Sequence, residues 1–402
     1  MGDGLSNFFE KYVAQASLFR DKKVFQPNFT PEKIEHRDDQ INIIASTLAP
    51  CLKLSKPSNL FIYGKTGTGK TVSVKYVTNH MQNLAKERDI PFKVVYLNCK
   101  LKRVADTEYR LIAQLAKEFG KQVPATGLPT DEVYSIFYET IDTQEQIVLL
   151  VLDEIDQLIQ KAGDAILYNL TRINSELKKA QISLVGISND LVFTETLDPR
   201  VKSSLSEEEI IFPPYNAFQI QEILKARTAL GFSENSIGPG VVEKCAAYAA
   251  REHGDARRAL ELLRVAGELA EREGIKKVDL KHLDQAEDKI EKDRLVDIVN
   301  SQPKQFQATL YSILCVAEKS KDAIFTGEVY ELYKNLCNQI SLRPLTQRRV
   351  SDIIAELDML GLINAKIISK GRYGRTREIS LALNDTTLLN IKRLLEESLA
   401  LS

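Results

Sequence analysis

The feature that most constrains the fold of this chain is a glycine-rich stretch at residues 64–71, which lies between an apolar run and a helical pattern. The apolar run Leu60–Tyr63 predicts a strand, so the order is strand, glycine loop and helix, as in a phosphate-binding loop (P-loop). The glycines allow a tight turn that aims backbone N–H groups at a phosphate chain. The helix start adds unpaired amides and the positive end of the helix dipole.

Two side chains of this loop have specific roles in a P-loop. Lys70 is expected to reach the β- and γ-phosphates, and the Thr71 hydroxyl is expected to bind Mg²⁺. A glycine-rich turn without a ligand is the alternative, which the complete spacing disfavours. The predicted nucleotide-binding stretch consists of Gly64, Lys65, Thr66, Gly67, Thr68, Gly69, Lys70 and Thr71.

A pair of acidic residues follows a second apolar run, Ile147–Leu152. This continuous run of leucine and β-branched residues predicts a strand buried on both faces, as in a parallel sheet. Asp153 and Glu154 come next, and because buried charges are costly they are expected at the strand tip. After a P-loop, Asp153 would hold Mg²⁺ through water and Glu154 would polarise the attacking water. A helix cap with a solvated acid is the alternative.

Strands alternate with helical patterns from about residue 58 to residue 213. The alternation predicts an α/β fold in which helices cover both faces of a doubly wound parallel sheet. The strand Ile182–Ile187 leads to Asn189, whose amide would contact the γ-phosphate from the neighbouring strand tip. A simple turn residue is the alternative. Pro213 and Pro214 end the last strand.

From Asn216 onward the pattern is entirely helical. One of these helices starts near Asp255 and carries Arg257 and Arg258 in its first turn. Basic residues favour helix ends over helix starts, so this placement is locally unfavourable. It indicates a nucleotide-facing role, with a solvated helix face as the alternative.

The C-terminal part of the chain has the pattern of a winged helix. Helical periods over residues 306–317, 326–340 and 346–360 precede two strand-like runs, 362–368 and 378–383. Thr346 is a suitable N-cap for the third helix, and Gly361 suits its C-terminal end.

The hairpin between the two runs is basic, with five basic residues and no acidic one from Lys366 to Arg377. Because the formal net charge of the chain is −1, this basicity is local. Such a wing contacts the minor groove and phosphates, while the N-terminus of the third helix faces the major groove. A solvated basic hairpin is the alternative. The DNA-contact candidates are Gln347, Arg348, Arg349 and Ser351 on the helix, and Lys370, Arg372, Tyr373 and Arg375 in the hairpin.

The cysteines, the histidines and the hydropathy of the sequence indicate the cellular environment in which the chain is expected to work. The five cysteines are scattered without a Cys-x-x-Cys pair, which predicts reduced thiols in a cytosolic protein. The four histidines are too dispersed to predict a metal centre. No apolar run approaches the roughly 18 residues of a membrane span, and no secretory signal is present, so no membrane partner is expected.

Together the motifs resemble those of the AAA+ ATPases, and within them the archaeal origin-recognition-complex-type DNA replication initiators. Those initiators are related to eukaryotic origin-recognition subunits and helicase-loading factors. The resemblance covers nearly the whole chain. It is carried by residues 59–64, 67–71, 152–156, 186–190, 197–205 and 253–260.

The resemblance assigns roles by position. Asn189 takes the sensor-1 place, and Arg257 takes the sensor-2 place, from which it reaches the phosphates. With Lys70, Asp153 and Glu154 these two complete the catalytic set. Further nucleotide-pocket positions implied by the resemblance are Tyr215 and Arg227, and His36 and Arg37 in the segment that packs beside the adenine.

Two more implications concern residues outside the nucleotide pocket. Arg200 stands near the place of the trans-acting arginine finger of eukaryotic members, but Ser204 departs from their pattern. This departure disfavours efficient hydrolysis in trans, and a structural tether is the alternative role for Arg200. A helical insertion of the ATPase domain implies a second DNA contact at Lys121, Thr126 and Gly127.

The resemblance implies three domains: an AAA+ nucleotide-binding base (1–214), an α-helical lid (215–295) and a winged-helix DNA-binding domain (296–402). It implies ATP/ADP and Mg²⁺ as cofactors, with slow ATP hydrolysis that acts as a conformational switch. Its implied partners are double-stranded origin DNA, the replicative helicase and a paralogous initiator on adjacent DNA, in a cytoplasmic, nucleoid-associated protein. Two alternatives stay open: another AAA+ ATPase such as a sliding-clamp loader, and an ATP-independent winged-helix transcription regulator.

Overall fold

The structure, a computed structural model, describes residues 17–100, 107–124, 126–205, 207–319, 324–369, 375–383 and 385–401. The chain forms two compact units, Met1–Leu283 and Asp284–Ser402. Over the described residues, no helix is both long and apolar enough to cross a membrane.

The first unit is built on a parallel sheet. Its strands are β1 (Asn59–Tyr63), β2 (Phe92–Asn98), β3 (Gln146–Asp153), β4 (Ala180–Ser188) and β5 (Glu207–Ile211). They lie in the order β2-β3-β4-β1-β5, and every pair is parallel. The carboxyl ends of β1, β3 and β4 therefore meet at one edge of the sheet. This confirms the predicted parallel sheet and brings the predicted nucleotide residues to one place.

Helices cover both faces of the sheet. They are α1 (Asp38–Leu48), α2 (Lys70–Glu87), α3 (Glu108–Glu118), α4 (Thr130–Ile141), α5 (Ile155–Ala162), α6 (Ala165–Arg172) and α7 (Pro199–Leu205). Ile44 of α1 and Val74 of α2 pack in the core on one face. Leu111 of α3 and Phe137 of α4 pack in the core on the other face. Apolar side chains on both faces explain why β1 and β3 are buried along their whole length.

Helix α1 starts later than the sequence pattern indicates. The periodicity predicts a helix from Pro31, but the helix begins at Asp38. His36 adopts φ +59°, a left-handed backbone conformation that interrupts helical geometry. Asp38 and Asp39 then occupy the first turn, where acidic residues interact favourably with the helix dipole.

A helical lid, defined here as α8 (Ala217–Gly231), α9 (Val241–Arg251) and α10 (Ala256–Arg272), follows the sheet. Asn216 and Gln219 form a capping box at the start of α8. The Asp255 side chain accepts hydrogen bonds from the backbone N–H groups of Arg257 and Arg258. This cap compensates for two basic side chains at a helix start.

The described N-terminal segment packs on the lid. The Phe19 and Phe232 rings are stacked with centroids 4.5 Å apart, and the Phe25 ring lies 5.1 Å from Phe232. The backbone N–H groups of Arg20 and Asp21 donate to the Gly231 carbonyl at 2.9 and 3.2 Å. These contacts attach the segment to α8.

The helix after the lid is longer than the sequence pattern indicates. Residues 292–300 are predicted as a charged connection, but α11 runs unbroken over Leu280–Ser301. The stretch contains neither glycine nor proline, so its charged residues remain helical. Leu295 and Val299 of α11 are buried in the core of the second unit.

The second unit is a winged helix, as predicted. Its elements are α12 (Lys304–Lys319), β6 (Ile324–Phe325), α13 (Thr326–Gln339), α14 (Gln347–Met359), β7 (Ile363–Ser369), β8 (Arg375–Leu381) and α15 (Asp385–Leu399). The antiparallel sheet has the order β6-β8-β7. Neither β6 nor α15 is predicted from the sequence.

Candidate nucleotide site and nucleic-acid interface

A cavity of about 570 Å³ lies at the carboxyl edge of the parallel sheet. Its walls come from the N-terminal segment (residues 26–35), the P-loop (residues 66–71), the tips of β3 and β4, and the lid. Asp153, Glu154 and Asn189 line it from the sheet side, and Arg227 and Arg257 line it from the lid. The structure therefore brings residues from distant parts of the sequence around one space.

Lys70 begins α2 and is 5% exposed. Its ammonium donates to the carbonyl oxygens of Gly64 (2.6 Å) and Lys65 (2.8 Å) and to Asn189 Oδ1 (2.9 Å). Burial, and then the nearby charge of Arg257, lower the pKa of Lys70 to about 8. The amide of Asn189 thus lies beside the P-loop lysine, at the strand tip where the sequence predicts it.

The Asp153 carboxylate at the tip of β3 has three donors. Oδ2 accepts from Thr71 Oγ1 at 3.0 Å and from the Tyr96 hydroxyl, and Oδ1 accepts from the Glu154 backbone N–H at 3.0 Å. Burial, and then the charge of Asp153, raise the pKa of Tyr96, so the phenol keeps its proton and donates. The hydroxyl of Thr71 and the carboxylate of Asp153 are hard oxygen ligands and fit Mg²⁺.

Glu154 follows directly and has an unusual backbone. Its φ of +56° lies in the left-handed region, which costs a non-glycine residue about 1–2 kcal/mol. Its side chain is 20% exposed, with Oε2 3.7 Å from Lys100 Nζ. Asp156 Oδ1 accepts from Ser188 Oγ at 3.2 Å and from the Asn189 N–H at 3.3 Å, which fixes the tip of β4 next to α5.

The lid contacts the P-loop at Gly67. The Ala256 N–H donates to the Gly67 carbonyl at 3.2 Å. Gly67 has φ +75°, and a Cβ built on it would lie 1.7 Å from Asp255 Oδ1. The first turn of α10 therefore rests on the loop, and this contact directs Arg257 to the cavity.

Gly67→Ala is expected to destabilise the protein more than Gly163→Ala. Both glycines have positive φ, +75° and +81°, so both variants incur the left-handed backbone penalty of about 1–2 kcal/mol. At Gly67 the new Cβ would overlap Asp255 at the start of the lid helix α10. At Gly163 no other atom of the described residues lies within 4 Å of the Cβ position. Overlap of this kind adds about 1–3 kcal/mol. Denaturant unfolding of the two variants measures the difference, and equal losses would contradict the lid contact.

Neither His36 nor Arg37 lines the cavity, although Ile34 and Glu35 of the same segment do. Arg37 is 2% exposed and donates from Nε to the Thr68 carbonyl (2.9 Å) and from Nη2 to the Pro213 carbonyl (2.6 Å). Its guanidinium carbon lies 3.8 Å from the centroid of the Tyr215 ring. Burial lowers the pKa of Arg37. Arg37 therefore stabilises the P-loop through the Thr68 carbonyl without lining the cavity.

His36 contacts the lid instead of the cavity. Its Nε2 lies 2.6 Å from Glu222 Oε2 of α8. His36 and Arg37 were assigned by likeness to a segment, and a segment match does not give the direction of each side chain.

Tyr215 and Arg227 both line the cavity, as the resemblance implies. The Arg227 guanidinium carbon lies 4.6 Å from the centroid of the Phe29 ring. Burial lowers the pKa of Arg227 to about 10. Its Nη1 is buried without a hydrogen-bond partner among the described residues. A buried cationic donor without a partner among the described residues, in a cavity that Lys70 and Arg257 also line, fits a polyanionic ligand such as a nucleotide.

Among the described residues, the Arg200 side chain pairs with its neighbour Asp198 and not with a distant part of the chain. This side chain is 86% exposed, and Nε donates to Asp198 Oδ1 at 3.2 Å. The neighbouring carboxylate raises the pKa of Arg200. The guanidinium is thus on the surface of the first unit and is paired within its own helix start.

In the winged helix, α14 begins as predicted. The Thr346 hydroxyl accepts from the Arg349 N–H at 3.4 Å, and Gln347, Arg348 and Arg349 are exposed. Ser351 is half-buried and accepts from Arg377 Nε of β8 at 3.4 Å.

The predicted wing lies partly outside the described residues. Lys370, Arg372 and Tyr373 lie outside the described residues, and for Arg375 only the backbone at the start of β8 is described. The wing contacts therefore stay predictions.

The loop between α3 and α4 carries the predicted second DNA contact. Lys121, Thr126 and Gly127 are exposed. Gly127 has φ +109°, and nothing lies within 4 Å of the Cβ position. The Tyr109 hydroxyl of α3 donates to the Pro124 carbonyl at 2.7 Å and fixes one side of the loop.

A sheet of order β2-β3-β4-β1-β5 with a lysine-bearing loop after β1 and a helical lid over it is the AAA+ arrangement. The first unit is accordingly an AAA+ ATPase unit, followed on the same chain by a winged helix. Family models match this division: an AAA domain (residues 53–192), a Cdc6 AAA+ ATPase-type lid domain (221–288) and a CDC6 C-terminal winged helix domain (297–390). The chain belongs to the family of ORC1-type DNA replication proteins, which confirms the predicted family.

Relatives and solved structures support this membership over the whole length. The chain is 52% identical over 395 residues to an ORC1-type DNA replication protein of Thermococcus kodakarensis, covering 97% of this chain and 94% of the relative. It is 51% identical to ORC1-type DNA replication protein 1 of Methanosarcina mazei, covering 94% and 91%. The Aeropyrum pernix ORC1 protein, solved in complex with DNA, is similar with a TM-score of 0.82 and 42% identity, covering 95% and 98%.

Proposed function

We propose that this chain is a replication initiator that binds double-stranded origin DNA under the control of bound ATP or ADP. The observation that carries the proposal is the pairing of an AAA+ cavity with a winged helix whose α14 start exposes Gln347, Arg348 and Arg349. The ORC1 protein of Aeropyrum pernix, similar over nearly its whole chain, was solved in complex with DNA.

The cavity residues support a nucleotide with Mg²⁺. Lys70, Arg227 and Arg257 supply positive charge for phosphates, and the P-loop amides surround them. Thr71 and Asp153 would hold Mg²⁺, and the bound ion would neutralise part of the phosphate charge. Glu154 is placed to accept a proton from water at the cavity wall, and Asn189 fixes the lysine ammonium.

Nucleotide acts on the lid through the P-loop. The Gly67 carbonyl accepts from Ala256 at the start of α10, so a change in loop geometry moves the first turn of that helix. Ala256, which makes this contact, and Arg257 both lie in the first turn of α10. This connection supports a role of the nucleotide as a switch of lid geometry, and we propose that hydrolysis is slow because it serves this conformational change.

DNA contacts are proposed at two places. At the first, Arg348 and its neighbours on α14 enter the major groove, and the wing residues Lys370, Arg372, Tyr373 and Arg375 follow the minor groove and phosphates. At the second, the exposed loop with Lys121, Thr126 and Gly127 lies against the DNA backbone. The replicative helicase and a paralogous initiator on adjacent DNA are the proposed protein partners, in a cytoplasmic protein associated with the nucleoid.

Retention of genomic fragments at physiological salt tests this function. The protein with Mg-ATP should enrich a few discrete loci, and Arg348→Ala should weaken specific binding about tenfold, the loss expected for an arginine that contacts bases. Arg393→Ala on α15 removes the same charge from another exposed position and should retain the same loci as wild type.

The outcomes separate the proposed function from its rivals. Uniform retention along the genome would contradict origin recognition and favour a loader that is placed by protein partners. Equal retention with and without Mg-ATP would favour an ATP-independent regulator.

A further inference from the structure

The Asp153 carboxylate is fixed by a residue of the neighbouring strand that the sequence analysis did not identify. We propose that Tyr96 of β2 is a positioning residue for the magnesium site and that its hydroxyl holds Asp153 in the geometry that binds the ion. The inference rests on the proposed function, because it concerns the metal of the same nucleotide site.

The hydrogen bonds leave the carboxylate of Asp153 little rotational freedom. Oδ1 accepts from the Glu154 N–H, and Oδ2 accepts from both Thr71 and Tyr96. Of the two donors on Oδ2, Thr71 is the predicted metal ligand. The Thr71 hydroxyl would also offer a lone pair to the ion, so Tyr96 is the side-chain donor on Oδ2 whose role is confined to orienting the carboxylate.

Tyr96 contacts the carboxylate without lining the cavity. Thr71, Lys75 and Asp153 all line the cavity, whereas Tyr96 does not. The phenol therefore acts on the site through its hydrogen bond to Asp153 Oδ2. Outer-shell groups orient the ligands that touch the metal, and losing one costs about 10–100-fold in metal affinity.

The ring of Tyr96 is itself held in place. In the parallel register Tyr96 is opposite Val151. Asn98, two residues further along β2, is opposite Asp153. The Lys75 ammonium of α2 lies 4.5 Å from the ring centroid, a cation–π distance. Strand and helix thus fix the phenol from two sides, as preorganisation of Asp153 requires.

The test is a titration of Mg²⁺ against binding of a fluorescent ATP analogue. In Tyr96→Phe we expect the half-saturating Mg²⁺ concentration to rise about tenfold, while affinity for the analogue in EDTA stays as in wild type. Unchanged binding in EDTA also reports that the variant is folded. The matched control is Tyr76→Phe, which removes a hydroxyl from a half-buried tyrosine of α2 that does not line the cavity; its ring is tilted against His80 with centroids 4.4 Å apart. This control should follow the wild-type titration.

Three results would overturn the role of Tyr96. One is a Mg²⁺ titration of Tyr96→Phe that coincides with wild type and Tyr76→Phe. Another is an equal loss of analogue binding with and without Mg²⁺, which would show that Tyr96 serves the fold or the nucleotide and not the metal. If wild type itself binds no Mg-ATP, the proposed function fails, and the role of Tyr96 fails with it.

Discussion

Lys70→Ala is expected to abolish ATP binding at micromolar nucleotide. The Lys70 ammonium is buried and already surrounded by three oxygen acceptors, so it is held in the wall of the cavity. Truncating one partner of a buried, hydrogen-bonded charge pair costs about 2–5 kcal/mol. That range corresponds to roughly 30- to 4,000-fold in dissociation constant. Isothermal titration with ATP and with ADP measures the loss directly.

The same variant should remain folded. Burial lowers the pKa of Lys70 to about 8, which means that the protein spends free energy to keep this ammonium charged. Removing it relieves that penalty, and we expect the melting temperature to change by only a few degrees. Lys86→Ala, an exposed lysine in the last turn of the same helix, is the control and should bind ATP as wild type does. Wild-type affinity in Lys70→Ala would refute the P-loop assignment.

Glu154→Gln is expected to bind Mg-ATP normally and to lose hydrolysis by about 10²–10⁴-fold. The amide keeps the size and shape of the side chain but cannot take a proton from water. Glutamine is no more strained than glutamate at the left-handed φ of +56°, so the tip of β3 should keep its geometry. Phosphate release at saturating Mg-ATP measures the rate, and binding of a fluorescent ATP analogue measures the affinity.

Glu145→Gln is the matched control for this variant. Glu145 is exposed and precedes Gln146, the first residue of the same strand, so the substitution is identical but lies at the opposite end of β3. It should hydrolyse ATP as wild type does. Hydrolysis at the wild-type rate in Glu154→Gln would remove Glu154 from its assigned role.

The parts of the site that the sequence predicts are those specified by short-range patterns. Gly64–Thr71 and the Asp153–Glu154 pair each follow an apolar strand. A parallel sheet necessarily brings such strand ends together, so their proximity needs no knowledge of the full topology. Asn189 was placed by the same argument, and its 2.9 Å contact with Lys70 agrees with it.

The parts that the sequence does not predict depend on contacts between distant residues. Arg37 supports Thr68 and Pro213, which are 31 and 176 residues away, and no local pattern indicates where a guanidinium will point. Tyr96 looks like any strand aromatic until the register of β2 and β3 is known. The two-residue strand β6 is too short for alternation to detect, because a period-2 pattern needs at least four residues.

The attachment of the N-terminal segment to the lid affects how the protein can be divided. Phe19 and Phe25 pack on Phe232, and residues 26–35 then form one wall of the nucleotide cavity. A fragment that starts at residue 53, where the AAA family model begins, would keep the P-loop but lose that wall. It would also uncover the apolar surface around Phe232. A complete ATPase fragment of this chain therefore has to include Phe19, well upstream of the motif by which such domains are recognised.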